Sequence, residues 1–123
     1  MNKILLLLLA VMLLTGCAPT DPVYENITAE EAKAIMDSRE GYIILDVRTR
    51  EEYDQGHIPG ATQISHEEIA EQAEGVLPDK NQLILVYCRS GRRSKIAAEA
   101  LAELGYTNII EFGGILDWPY ETE

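Results

Sequence analysis

The chain has 123 residues, 46% of them hydrophobic and 25% charged, which is enough for one small domain with one core and leaves no room for a second. Its 21 acidic residues against 10 basic ones give a net charge of −11, an argument against nucleic acid and anionic membrane surfaces as partners of the folded part and in favour of soluble partners or small molecules. Only two cysteines occur, Cys17 and Cys88, and the sequence shows no internal repeat or low-complexity tract.

The first residues have the layout of an export signal: a lone positive charge at Lys3, an apolar run from Ile4 to Leu14, then Thr15-Gly16-Cys17. That run is well short of the roughly 20 residues a helix needs to cross a bilayer, so residues 1–16 are expected to be a cleaved signal peptide. The junction Leu14-Thr15-Gly16-Cys17 resembles the lipobox of bacterial lipoproteins, and the resemblance implies cleavage before Cys17 and lipidation of that cysteine. The other reading is an ordinary secretory signal in which Cys17 is incidental. Residues 17–25, with Pro19 and Pro22, then form an extended spacer that tethers a domain over residues 26–123 to a bacterial membrane, on its periplasmic or extracellular face. With Cys17 blocked, Cys88 stands unpaired in an exported setting where cysteines usually come in pairs.

Thr28 followed by Glu31 has capping-box spacing, and Ala32, Ile35 and Met36 share one face, which predicts a helix to about Ser38. Tyr42 to Val47 is a short, nearly all-apolar run, the pattern of a strand buried on both faces. Thr49 and Glu52 start a short helix that ends at Gly56, and a brief strand is expected near Thr62 to Ile64. A third box, Ser65 with Glu68, opens a helix to about Ala73. Leu83 to Tyr87 is the second buried strand. Ile96, Ala97, Ala100, Leu101 and Leu104 then lie on one face of a helix stopped by Gly105, and Asn108 to Phe112 form one more strand before a turn and a short helix over Gly113 to Pro119. This alternation predicts an α/β fold of three layers, a mostly parallel central sheet of about five strands with helices on both faces, and in such folds ligands bind outside the carboxyl ends of strands.

Cys88 stands at such an end, at the head of the loop Cys88-Arg89-Ser90-Gly91-Arg92-Arg93-Ser94. Backbone N–H groups of a strand-to-helix loop can converge on an anion at the positive end of the helix dipole. Arg89, Arg92 and Arg93 are expected to favour the thiolate, with Arg89 and Arg93 ranked above Arg92 as anion contacts. Gly91 supplies φ freedom, and Ser90 and Ser94 add hydroxyl donors. Cys88 is thus the candidate nucleophile and residues 89–94 the candidate substrate cradle.

The heptapeptide resembles the active loop of the rhodanese family of sulfurtransferases, Cys-Arg-x-Gly-x-Arg-Ser or close to it, and matches it throughout. Ile44-Leu45-Asp46-Val47-Arg48 with Glu51, Glu52 and Tyr53, Gly56-His57-Ile58-Pro59-Gly60-Ala61, and Gly113-Gly114 followed by Trp118 extend the likeness over about residues 26–120. The resemblance implies a thiolate that attacks the outer sulfur of thiosulfate or another sulfane-sulfur donor, becomes a persulfide on Cys88, and passes that sulfur to a thiol or cyanide-like acceptor. No cofactor and no metal are implied. Asp46 and Arg48 are supporting residues, for which a structural ion pair or loop brace is as good a reading as an acid–base role. His57 belongs to the scaffold, His66 is expected to be solvated, and Trp118 to cover the core.

Three rivals compete. A cysteine-dependent phosphatase of the same fold needs Cys-x5-Arg, whereas position 94 is Ser and Arg93 falls one residue short. A non-enzymatic binding or persulfide-carrier module is the second, and Cys88 with its intact loop argues against a role in binding alone. A thiol redox protein lacks a resolving cysteine.

Overall fold

The computed structural model describes residues 23–123. The signal peptide, Cys17 and the spacer as far as Pro22 lie outside the described residues. The elements are β1 (Glu25–Asn26), α1 (Ala29–Ser38), β2 (Tyr42–Asp46), α2 (Arg50–Asp54), β3 (Thr62–Gln63), α3 (Ile69–Val76), β4 (Leu83–Cys88), α4 (Arg92–Glu103) and β5 (Ile109–Gly114), with short 3₁₀ turns at His66–Glu68 and Ile115–Asp117.

All five strands join one sheet in the order β1-β5-β4-β2-β3, and every pairing is parallel. Strands β2 and β4 pair along their length, from Tyr42 with Leu83 to Asp46 with Tyr87, so their unbroken apolar runs sit at the centre where both faces are covered. Residues alternate between two cores. On one face Leu45, Val47, Ile84, Val86, Cys88 and Ile109 pack against α3 and α4; on the other Ile44, Leu83, Leu85, Tyr87, Ile110 and Phe112 pack against α1, Ile58 and Trp118. The three-layer architecture is therefore that expected from the sequence.

Two capping boxes form as predicted, with Thr28 accepting from the Glu31 amide and Thr49 from the Glu52 amide. The third does not. Residues 66–68 wind as a 3₁₀ turn in which the Glu68 N–H is taken by the Ser65 carbonyl at 2.8 Å, leaving the Ser65 hydroxyl to bond the Arg48 carbonyl instead. The following helix runs to Val76 rather than Ala73 and ends at Leu77, which precedes Pro78 and leaves the helical region at φ −122°, ψ 73°. Strand β1 escaped the sequence reading: two residues carry no periodicity, and Glu25, assigned to the spacer, pairs with Ile110 of β5.

Candidate active site

Strand β4 ends on Cys88, and three residues later Gly91, at φ +108°, turns the chain into α4. That φ is one L-residues with a Cβ rarely adopt, and it folds the Gly91 amide back onto its own loop. The Gly91 N–H donates to Cys88 Sγ at 3.0 Å, and Ser94, one turn into α4, puts its Oγ 3.4 Å from the same sulfur. Burial pushes the Cys88 thiol up. Hydrogen bonding by the Ser94 hydroxyl and by the amides of Ser94, Gly91 and Ser90 overrides it and leaves the thiol below the ordinary cysteine value.

The three arginines of the loop are placed differently from one another. Arg93 forms a bidentate pair with Glu52 of α2, at 2.6 and 2.9 Å, and makes no hydrogen bond to Cys88, although its charge bears on the thiol. Arg89 and Arg92 are exposed at the rim. The thiolate is therefore stabilised at contact distance by dipoles, with Arg93 acting on it through space and Arg89 lining the adjoining cavity. Glu52 thus fixes Arg93 beside the loop; its helix position is legible in the sequence but its partner across the fold is not.

Beneath the loop lies a residue the sequence reading missed. Glu111 of β5 is fully buried and faces the α4 side of the sheet, where its Oε1 accepts from Ser94 Oγ at 2.6 Å and from the Gly113 N–H at 2.8 Å. Its Oε2 accepts from Asn26 Nδ2 at 2.5 Å. The available signal was an acid placed in phase with Ile109 inside a run that otherwise reads as buried strand.

The Gly113-Gly114 pair also has a steric basis. A Cβ on Gly114 would overlap the Arg89 carbonyl and the Ser90 amide, so β5 can lie against the cysteine loop only without one. The Leu116 N–H then donates to the Arg89 carbonyl at 3.2 Å and pins the loop from outside. An open cavity of about 380 Å³ adjoins the loop, lined by Arg48, Glu52, Gln55, Arg89, Ile115 and Leu116 among others. A larger groove of about 790 Å³, lined by Lys33, Tyr42, Ile58 and Trp118, contains no residue of the loop 88–94 and is remote from this chemistry.

Comparison with known proteins agrees with this geometry. The rhodanese-like domain family matches residues 28–120. The chain belongs to the rhodanese-like family. It is 44% identical over 73 residues to the thiosulfate sulfurtransferase PspE of Escherichia coli (strain K12), covering 59% of this chain and 70% of that protein. It is 39% identical over 99 residues, 80% of this chain, to the putative sulfur carrier protein YrkF of Bacillus subtilis (strain 168), of which it spans 52%. Among solved structures, a rhodanese with anions from E. coli superposes with a TM-score of 0.63 at 39% identity, covering 67% of this chain and 96% of the other. The protein is a rhodanese-like sulfurtransferase.

The remaining sequence candidates serve the rhodanese-like scaffold around the loop. Asp46 and Arg48, both buried, form an ion pair in which Arg48 Nη2 lies 2.6 Å from Asp46 Oδ2. The same guanidinium donates to the Gly56 carbonyl, and Tyr87 donates its hydroxyl to Asp46 at 2.6 Å while accepting from the Ile58 N–H at 3.0 Å. Burial, then the Asp46 carboxylate, push the Tyr87 phenol far up, so it remains a donor at any ordinary pH. Neither Asp46 nor Arg48 bonds Cys88; they tie the end of β2 to the Gly56–Ala61 segment, with Arg48 showing one edge to the cavity.

His57 stacks on Tyr53 at 3.8 Å and links through Nε2 to Glu123 at 3.3 Å, away from the sulfur. His66 is only 19% exposed, so it is half-buried rather than solvated; the 3₁₀ turn it opens holds it against the protein. Trp118 packs in the α1-side core beside Phe112.

Proposed function

We propose that this sulfurtransferase is of the thiosulfate type, working outside the cytoplasm on the face of a membrane to which lipid on Cys17 holds it. The Cys88 thiolate attacks the outer sulfur of thiosulfate; the Sγ–S bond forms, the donor's S–S bond breaks, and sulfite leaves with its electron pair. Cys88 then carries a persulfide anion. A thiolate or cyanide takes the terminal sulfur and the Cys88 thiolate is restored.

One observation carries this reading: the Gly91 N–H lies 3.0 Å from a sulfur at a strand's end, inside a loop whose amides face inward, which is a preorganised site for an anionic sulfur and for its one-atom extension. Exposed Arg89, which lines the cavity beside the loop, and exposed Arg92 at the start of α4 suit an anionic donor on an otherwise acidic molecule. The name of the E. coli relative PspE specifies thiosulfate, and the lipobox-like junction supports the anchor.

The test is thiocyanate production from thiosulfate and cyanide by the parent and by Cys88→Ser. The parent is expected to turn over and the variant to lose activity to the background rate; an equally active variant sinks the mechanism. The anchor is tested separately by Cys17→Ser, which should move the protein from the membrane to the soluble fraction of the producing cell. Unchanged membrane association would overturn the lipid assignment.

A further inference from the structure

Glu111 is fully buried, and among the described residues no lysine, arginine or histidine pairs with it. Its neutral donors are Ser94 Oγ at 2.6 Å, the Gly113 N–H at 2.8 Å and Asn26 Nδ2 at 2.5 Å. Cys88 Sγ sits on the other side of that same hydroxyl, 3.4 Å from Ser94 Oγ. A serine hydroxyl has one proton to give. With Cys88 ionised and Glu111 ionised as well, two buried anions compete for it, alongside the Gly91 and Gly113 carbonyls at 3.0 and 3.3 Å; each anion keeps its amide donors, but the loser faces an oxygen lone pair, which is unfavourable for a buried charge.

One proton shared between the two acids removes the conflict. With that proton on Cys88, the thiol donates to Ser94 and Ser94 donates to the Glu111 carboxylate. With it on Glu111, the carboxylic acid donates to Ser94 and Ser94 donates to the thiolate. Both arrangements keep every hydrogen bond along the line.

We propose that Glu111 takes the proton of Cys88 through Ser94, so that a thiol–hydroxyl–carboxylate relay generates the nucleophile without histidine and without exchanging a proton with solvent. The Sγ–H bond breaks as a new Oγ–H bond forms, and the original Ser94 O–H bond breaks as Oε1–H forms. The site holds one negative charge before and after. Ser94 and Glu111 are positioning residues for Cys88, and the attack on the donor follows with the charge already on sulfur.

Other groups face this line without joining it. Arg93 of α4 bears on the thiol end and is itself held by Glu52 and drawn to Asp46 of β2; at the other end Tyr24 feels both Glu99 of α4 and Glu111. None of them hydrogen-bonds Cys88, Ser94 or the Glu111 carboxylate, so the shared proton belongs to this pair. The inference rests on Cys88 acting as a thiolate, and its test reads titration rather than turnover. An absence of thiosulfate activity would therefore defeat the proposed function while leaving the relay intact, and the reverse also holds.

The experiment uses the full chain. Modification of Cys88 by iodoacetamide is followed by mass spectrometry across pH, and the Glu111 carboxyl carbon is followed by NMR in protein labelled at glutamate. Groups that share a proton titrate together in two steps. The parent is expected to show two inflections in the Cys88 rate and the same two in the Glu111 shift. Glu111→Gln, which keeps an acceptor for Ser94 but takes no proton, should leave one step in the thiol curve, and Ser94→Ala should separate the two groups into independent curves. A single-step thiol curve in the parent, matched by a Glu111 carbon that moves independently of it, overturns the proposal even if neither variant folds. Coupling that survives Ser94→Ala overturns the relay through the hydroxyl.

Discussion

At the residue scale, the sulfur is governed by groups that touch it. The contacts on the Cys88 sulfur are one hydroxyl and a set of amides, so the loop's backbone path matters to it directly, while Arg93 acts only through space. The same reasoning applies to Tyr87, whose hydroxyl donates to Asp46 and accepts from Ile58 at a fully buried position. Tyr87→Phe keeps the ring and leaves the Ile58 N–H without an acceptor and Asp46 one donor short, which should cost about 1–3 kcal/mol. Urea unfolding of the variant measures it, and a loss within experimental error would show that water replaces the hydroxyl.

At the scale of elements, α2 is a short helix with no buried residue, yet Glu52 in its first turn performs two tasks. It closes the capping box with Thr49 and clamps Arg93 of α4, thereby fixing one wall of the site. The hydrogen bond from Arg93, aided by the Thr49 amide, lowers the Glu52 carboxyl from 4.5 to about 2. Between those values the unfolded state binds more protons than the folded one, so this contribution is complete above about pH 4.5 and fades as pH falls toward 2. Glu52→Gln should lower stability at neutral pH by on the order of 1–2 kcal/mol, allowing for partial exposure of the pair. The deficit should shrink below pH 4.5, the upper end of that window. Unfolding curves over a pH series decide it; a deficit constant from neutral to acid would rule out the ionised clamp as its origin.

At the scale of the whole molecule, the site exists because β5 runs against the loop that follows β4. Regular pairing as far as Val86 with Glu111 sets Glu111 under Ser94, and the register then slips so that Cys88 pairs with Gly114, which brings Gly114 against Arg89. Gly114→Ala puts a methyl into the Arg89 carbonyl, where backbone rather than a flexible side chain must yield. The expected cost is about 1–3 kcal/mol, with a larger proportional loss of Cys88 alkylation than of stability as the loop is pushed outward. Thermal unfolding and alkylation rates together check it. Normal alkylation in a destabilised protein would mean that the strain escapes elsewhere.

What the sequence determined by itself was whatever depends on neighbours in the chain: the unbroken apolar runs of β2 and β4, two of the three capping boxes, and a glycine three residues after a cysteine at a strand's end. These patterns sufficed for the parallel sheet, the helices on both faces and the position of Cys88, since periodicity and turn chemistry are local. Ser65 defeated the same reasoning because a capping box and a 3₁₀ turn share one spacing, and the Ser65 carbonyl reached the Glu68 amide before its hydroxyl could. Tertiary structure alone decided what crosses the fold. Glu52 meets Arg93 and Glu111 meets Ser94 from separate strands and helices, and where an arginine's charge is held depends on the partner that reaches it across the fold. Charge and hydrogen-bond partners at that separation are set by the register of the sheet, which no local pattern records.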